Sequence, residues 1–260
     1  MATRSFSDQL GKVISLSSSP QRIISLVPSQ TELLADLGLD ENVIGITKFC
    51  VHPPEWRTKK TIVGGTKNFR FDVIDSLNPD LIIGNKEENY KDGIERLYKK
   101  FPVWMSDIIT LHDALSMIES IGLMTEKQIL ARQYANEITD KFKSVKRYAE
   151  QSVLYLIWRQ PWMAAGKNTF IDSMLSTIGL KNVVGSKDRY PQLSPDEIKN
   201  LAPQYIFLSS EPYPFNKTHD DELQLISPAS TNLLVDGEMF SWYGSRLRKA
   251  PDYFNTLALG

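Results

Sequence analysis

The 260-residue sequence predicts an α/β protein made of two Rossmann-like lobes with parallel sheets. Strand-like and helix-like segments alternate along most of the chain. The segment 71–83 returns at 194–207, with Asp, Ile, Leu, Pro and Ile at one constant offset. A second repeat pairs 37–45 with 178–185, and each copy has a glycine where a helix would end. These repeats predict two related lobes with a cleft between them, and clefts at domain interfaces are usual ligand sites.

The first lobe is predicted to alternate short strands with helices. Its strands are short apolar runs bounded by turn residues, at 22–27, 43–46, 81–84 and 102–105. Its helices lie between and after these runs, at 32–37, 72–77, 92–100 and 111–121. Such an order predicts a parallel sheet covered by helices.

A segment without Gly or Pro, 126–150, separates the two lobes. Its apolar residues recur at roughly helical spacing, which predicts one helix of about 25 residues and about 37 Å. We therefore expect an N-terminal lobe at 1–124, a linking long helix at 125–150 and a C-terminal lobe at 151–260. The second lobe should contain strands at 153–157, 182–184, 205–208 and 233–235, and helices at 170–178, 195–201 and 245–257.

The composition argues against several classes of partner. The formal net charge is −1, which leaves no electrostatic footprint for nucleic acid or an anionic membrane surface. Cys50 is the only cysteine, so no intramolecular disulfide can form. No apolar run approaches membrane-spanning length, and the N-terminal residues lack the apolar core of a secretory signal.

Two aromatic loops are the leading candidates for a ligand site. One follows a predicted strand and the other precedes the last predicted helix, and their candidate residues are Trp158, Arg159, Trp162, Trp242, Tyr243 and Arg246. Loops after the strands of a parallel sheet line its ligand crevice. Aromatic planes suit a macrocycle or a catecholate, and arginine suits carboxylates or phosphates. The alternative is that Trp158 and Trp162 close the core of the second lobe.

Phe49, Cys50 and His52 follow a predicted strand of the first lobe. A Cys-x-His pair alone is a weak metal signal, and His112 and His219 lie far away in sequence. We therefore predict no protein-bound metal, with His52 as a weak candidate ligand. The alternative is a buried thiol beside a turn that holds His52 at the cleft rim. No nucleophile elbow, phosphate loop or dinucleotide fingerprint is present, so catalysis is not predicted.

Asp72 and Asp196 occupy equivalent places at the starts of the two repeated helices. Acids in a first turn complement the helix dipole, and Ser194 with Glu197 has the pattern of a capping box. Helix stabilisation is therefore one interpretation. One acid on each lobe would also offer a twofold partner two matching contacts.

Three motifs resemble a known family, and the resemblance extends from residue 22 to about residue 254. They are Arg-Ile-Ile-Ser-Leu-Val-Pro-Ser-x-Thr-Glu at 22–32, Leu-Asn-Pro-Asp-Leu-Ile-Ile at 77–83 and Tyr-Pro-Gln-Leu-Ser at 190–194. They are similar to the cobalamin and ferric-siderophore receptors of ABC importers, the helical-backbone class (class III) of periplasmic substrate-binding proteins. The resemblance implies two α/β lobes joined by one long helix.

The resemblance also implies roles for single residues. In that family one acid on each lobe docks onto arginines of the two permease subunits, and by motif these acids are Asp72 and Asp196. Cobalamin receptors place aromatics around the cleft, and similar positions here hold Phe49, Tyr190 and Trp242. Other positions depart from the expected aromatics, namely His52, Thr66 and Asn85. A corrinoid, a haem-like macrocycle and a ferric siderophore therefore all stay open as ligands.

Together these features predict a substrate-binding protein of an ABC importer that binds its ligand rather than transforming it. The ligand would be a metal complex and the protein partner an ABC permease dimer, with the chain acting as a monomer without a covalently held cofactor. The resemblance implies a periplasmic location, while the missing signal sequence leaves a cytoplasmic one open. The alternative is a cytosolic α/β enzyme or intracellular metabolite-binding protein that reuses the fold.

Overall fold

The computed structural model describes residues 3–149 and 151–259, which form two compact units. Unit 1 contains the chain up to residue 108, together with 112–139 and 243–248. Unit 2 contains 109–111, 140–242 and the chain from 249 onward. Each unit has a sheet with parallel strands and helices between them in sequence, so the predicted fold class is confirmed.

The main sheet of unit 1 is parallel throughout. The strands of this unit are β1 (Arg4–Ser7), β2 (Val13–Leu16), β3 (Ile23–Ser25), β4 (Val43–Ile46), β5 (Thr61–Ile62), β6 (Gly64–Gly65), β7 (Asn68–Phe69), β8 (Leu81–Asn85) and β9 (Val103–Ser106). The main sheet has the order β5-β4-β3-β8-β9. Strands β3 and β8 are buried along their whole length, as expected for strands covered on both faces.

Helices connect and cover these strands. They are α1 (Pro28–Asp36), α2 (Trp56–Lys59), α3 (Phe71–Leu77), α4 (Lys91–Tyr98), α5 (Leu111–Met124) and α6 (Gln128–Lys143). Helix α5 shows why the sequence forms them. Its buried residues include Ala114, Met117, Ile118 and Ile121, which recur every three or four positions and so form one apolar stripe.

An antiparallel hairpin of β1 and β2, which we did not predict, covers the outer edge of β9. The backbone N–H of Gln9 donates to the carbonyl of Met105 at 3.0 Å. Asp8 is buried in the hairpin turn, where its Oδ1 accepts from the backbone N–H groups of Leu10 at 2.9 Å and Lys12 at 2.7 Å. The hairpin therefore occupies part of an edge strand that would otherwise be open for pairing.

Unit 2 has a mixed sheet of order β13-β11-β10-β14-β15, with β12 also paired to β10. Its strands are β10 (Ser152–Trp158), β11 (Trp162–Ala164), β12 (Lys181–Asn182), β13 (Gln192–Leu193), β14 (Tyr205–Ser209) and β15 (Thr231–Val235). Strands β12, β10, β14 and β15 are mutually parallel, whereas β11 runs antiparallel to β10 and β13.

The helices of unit 2 pack on this sheet. They are α7 (Phe170–Thr177), α8 (Pro195–Leu201), α9 (Lys217–Ile226), α10 (Gly237–Ser241) and α11 (Ala250–Asn255). Ile198 of α8 and Leu223 of α9 join a buried cluster with Leu154, Leu156 and Ile206 of the sheet. Ser194 and Glu197 form the predicted capping box at the start of α8.

The sequence repeat corresponds to a repeated backbone geometry. Gly38 and Gly179, which follow equivalent helices, have left-handed φ angles of 71° and 79°. Asn78 and Ala202 end α3 and α8 with φ angles of 44° and 43°. A left-handed residue is a common way to end a helix, and glycine adopts this conformation at the lowest cost. The predicted helix ends are therefore confirmed in both copies.

The predicted linking helix is shorter than expected. Helix α6 has 16 residues rather than about 25, although none of the residues 144–150 is Gly or Pro. Tertiary contacts pull the next residues out of the helix. The backbone N–H of Lys146 donates to Asn255 Oδ1 at 2.7 Å, and Tyr148 N donates to the carbonyl of Ile178 at 2.7 Å. Residue 150, at the end of the predicted helix, lies outside the described residues.

In the described part of the chain, every helix is either too short or too polar to cross a lipid bilayer.

Candidate ligand-binding site

In unit 1, Phe49 is an exposed aromatic ring in the loop after β4. Its side chain is 51% exposed, and Lys48 Nζ lies 5.0 Å from its ring centroid. The ring packs beside Gly65 of β6, where an added Cβ would come within 3.1 Å of a ring carbon. The hairpin of β6 and β7 therefore supports the ring while leaving half of it open to solvent.

Cys50 and His52 differ in their surroundings. Cys50 is buried, and Thr31 Oγ1 donates to its Sγ at 3.0 Å. Burial raises the pKa of the Cys50 thiol, so it stays protonated at neutral pH. His52 is half-buried in the turn. Across residues 3–149 and 151–259, no three His, Cys, Asp or Glu side chains are grouped as a metal site, and a contact from His52 to the metal of a ligand stays a prediction.

In unit 2, Trp158 is the exposed aromatic residue at the carboxyl end of β10. Its side chain is 40% exposed, and its ring meets Tyr213 edge to face with centroids 5.4 Å apart. The hydroxyl of Tyr213 lies 2.9 Å from His219 Nε2. The backbone N–H of Asn216 donates to His219 Nδ1 at 3.2 Å. Because Nδ1 accepts this hydrogen bond, Nε2 is the nitrogen that donates to the hydroxyl of Tyr213. Trp158 is therefore backed by an ordered chain of polar contacts.

Arg159 is engaged within unit 2. Its Nε donates to Glu222 Oε2 at 3.0 Å, and its Nη2 donates to Glu222 Oε1. The guanidinium carbon also lies 4.4 Å from the ring centroid of Trp162. Trp162 itself is only 3% exposed and stacks on Phe215, with centroids 6.0 Å apart and an interplanar angle of 6°. Trp162 thus fits the alternative interpretation of a core residue.

Trp242 is also buried, and its indole N–H is held by a carboxylate. Trp242 Nε1 donates to Glu211 Oε1 at 2.7 Å, and Ser241 Oγ donates to the same oxygen at 2.7 Å. Glu211 follows β14 and was not a predicted site residue, because nothing in its sequence neighbourhood separates it from other loop acids. Tyr190 is half-buried, with the guanidinium carbon of Arg189 5.6 Å from its ring centroid.

Tyr243 and Arg246 differ from their predicted place. We expected both in the C-terminal lobe at 151–260, but 243–248 belongs to unit 1. Both side chains are buried, and Arg246 forms two hydrogen bonds with Glu32 of α1, at 2.8 and 2.7 Å. This ion pair anchors the segment to α1. Sequence spacing could not reveal it, since the two residues are 214 positions apart.

Asp72 and Asp196 both lie exposed in the first turns of their helices, α3 and α8. Among the residues that the structure describes, neither carboxylate has an ion pair or a side-chain hydrogen bond. Both are therefore available for a protein partner. Their role in docking stays a prediction.

The comparison with known proteins identifies the family. The family model described as periplasmic binding protein matches residues 23–229, which is most of the chain. This chain belongs to the periplasmic binding protein family. That family consists of proteins that bind substrates rather than enzymes.

Individual relatives agree with this assignment. An uncharacterised ABC transporter substrate-binding lipoprotein of Bacillus subtilis is 28% identical over 213 residues, covering 76% of this chain and 67% of the relative. A vitamin B12-binding protein of Pectobacterium carotovorum is 25% identical over 237 residues, covering 88% and 84%. Among solved structures, the siderophore-binding protein BauB, bound to ferric iron and two acinetobactin molecules, has a TM-score of 0.80 at 18% identity, covering 98% of both chains. At 18% identity, the similarity to BauB shows that the two proteins share a fold.

The Glu211 carboxyl should make stability depend on pH. Burial raises its pKa above the usual 4.5, while the hydrogen bonds from Ser241 and Trp242 act in the opposite direction. At pH values between the usual pKa and the raised pKa of the folded protein, the folded state binds more protons than the unfolded state. Stability therefore falls as pH rises through that interval. Glu211→Gln keeps an oxygen acceptor but removes the titration. Melting temperatures between about pH 4 and about pH 8 should show the wild type losing stability relative to the variant as pH rises. Parallel curves would contradict this assignment.

Proposed function

We propose that this chain is the substrate-binding protein of an ABC importer, working outside the cytoplasmic membrane on a corrinoid or ferric-siderophore complex. The match to the periplasmic binding protein family over 23–229 carries this proposal. Relatives named as a vitamin B12-binding protein and as an ABC transporter substrate-binding lipoprotein support it. The energy for transport would come from ATP hydrolysed by other subunits.

The exposed aromatic residues suit such a ligand. Phe49 lies in the loop after β4 and Trp158 is the last residue of β10, and each keeps a large part of its side chain in solvent. Burying an aromatic face against a macrocycle or a catecholate is favourable, since these rings contribute large contact areas at low entropic cost. These two rings are therefore the first ligand contacts to test.

The partner would be a permease dimer that the monomeric chain meets through Asp72 and Asp196. Both carboxylates are exposed and available, as an electrostatic contact with arginines requires. Because α3 and α8 are equivalent parts of the repeat, the two acids present the same local geometry to two equivalent subunits.

Native mass spectrometry with absorption spectra tests the proposal directly. The protein would be incubated separately with cobalamin, haem and ferric siderophores, and the mass and spectrum of the complex recorded. We expect one of these classes to remain bound through desalting at a ratio of one metal complex per chain. Free protein in every incubation would contradict the proposed function.

Trp158→Ala should weaken ligand binding by about 1–3 kcal/mol, the range for a well-packed aromatic contact. The side chain is 40% exposed in the free protein, so its loss should leave the fold intact. Leu225→Ala is a matched control, because Leu225 is an 85% exposed apolar residue of the same unit. Titration calorimetry with the ligand identified above measures both. Equal affinities in the wild type and Trp158→Ala would remove this ring from the site.

A further inference from the structure

Arg159 is the one cation in the loops that follow β10, β14 and β15, which are 159–161, 210–216 and 236. The same loops contain two acids, Glu211 and Asp236. These loops lie at the carboxyl ends of parallel strands, where sheets of this kind bind ligands. Whether Arg159 is free or paired therefore decides whether these loops offer an anion a cationic partner.

Glu222 neutralises this cation with good geometry. The two hydrogen bonds from Arg159 to its carboxylate have the bidentate form that is strongest for arginine. The side chains are 21% and 37% exposed, so the pair lies at the surface without being fully solvated. The hydrogen bonds to Glu222 also raise the pKa of Arg159, so the guanidinium stays charged.

Helix α9 fixes Glu222 in place. His219 lies three residues before Glu222, so both side chains project from the same face of the helix. His219 holds Tyr213 behind Trp158, while Glu222 holds Arg159 over Trp162. Both anchors act on the loops beside the exposed ring. The ion pair is therefore part of a supported surface rather than a mobile contact between long side chains.

We propose that Glu222 determines ligand specificity by masking Arg159, so that this surface of unit 2 accepts a metal complex with an uncharged periphery and rejects anionic ones. This inference rests on the proposed function. When Glu222 pairs with Arg159, the only other charged residues of these loops are the acids Glu211 and Asp236. Carboxylate or catecholate anions then lose hydration without gaining a cationic partner, which disfavours their binding. A corrinoid whose outer groups are uncharged amides does not have to bring an unpaired negative charge to this surface.

Three probes separate the ligand classes. Cyanocobalamin carries mainly amides at its edge, haemin carries two propionates, and a ferric tris-catecholate is anionic. Wild-type protein should bind cyanocobalamin at least about tenfold more tightly than either anionic probe, as measured by absorbance titration. Glu222→Gln should raise the affinity for the anionic probes about tenfold, since a hydrogen bond to a released charged group is worth at least this factor.

Two further variants complete the test. Arg159→Gln combined with Glu222→Gln removes both charges, so it should keep the wild-type preference even if the single variant folds poorly. Glu119→Gln makes the same charge change on the exposed face of α5, in unit 1, and should have no effect. Wild-type preference for an anionic probe, lost in the double variant, would overturn the masking role but leave the proposed function standing. Failure of the wild type to bind any probe would overturn both.

Discussion

Arg246→Ala should lower the free energy of unfolding by about 3–5 kcal/mol, the cost of leaving one partner of a buried ion pair alone. Arg246 and Glu32 form two hydrogen bonds of 2.8 and 2.7 Å, and their side chains are only 9% and 10% exposed. Without the guanidinium, the Glu32 carboxylate would stay in this environment unpaired. Urea denaturation followed by circular dichroism measures the change.

Arg248→Ala is a matched control in the same segment. Arg248 Nε donates to Glu137 Oε2 at 2.7 Å, but these side chains are 33% and 31% exposed. Water screens such a pair, so the control should cost about 1 kcal/mol or less. Glu32→Leu combined with Arg246→Met should recover most of the lost stability, because it leaves no buried charge. Equal losses for Arg246→Ala and Arg248→Ala would show that burial does not set the strength of the first pair.

The elements that repeat in the two units could be predicted because the signals for their starts and ends are local. Gly38 and Gly179 stop equivalent helices, and Ser194 with Glu197 starts one, all through bonds within a few residues. The end of α6 is different, since Lys146 and Tyr148 bond to residues far along the chain. Helix propensity alone continues the helix, and tertiary contacts end it.

Helix α9 was not predicted, because its local sequence signals are weak. Its first turn is capped by Asn216, with His219 at the position where a capping box usually has Glu or Gln. Polar residues also dominate its sequence from Lys217 to Glu222, so no apolar stripe is visible. The helix is nevertheless central to the candidate site through His219 and Glu222.

The candidate site could be located in sequence only as a set of loops. Trp158, Trp162 and Trp242 all looked alike as aromatics near strand ends, yet Trp158 alone among them is exposed. Position relative to the sheet decides this difference, because β11 pairs on both sides and buries Trp162. Likewise, the partner of Arg159 lies 63 positions away on α9. Sequence chemistry therefore indicated the kinds of contact but not which side chains remain open for a ligand.

Reversing the charge of Asp72 or Asp196 should reduce uptake through the cognate permease at least about tenfold, since like charges facing each other at an interface cost several kcal/mol. Ligand affinity should not change, because among the described residues neither carboxylate forms a hydrogen bond or ion pair with a residue of the candidate site. The helix dipole predicts only a small loss of stability from each Asp→Arg change, about 0.3–1 kcal/mol. Uptake of radiolabelled ligand into proteoliposomes, with calorimetry of the isolated protein, separates these effects.

Asp92→Arg is the matched control for both variants. Asp92 is also an exposed acid in a first turn, that of α4, and so has the same relation to its helix dipole. If Asp72 and Asp196 serve only to stabilise their helices, all three variants should transport equally well. If they bind arginines of the permease, only Asp72→Arg and Asp196→Arg should lose transport, and the double variant should lose association with the permease as well. Full uptake by that double variant would contradict the docking role and weaken the importer assignment.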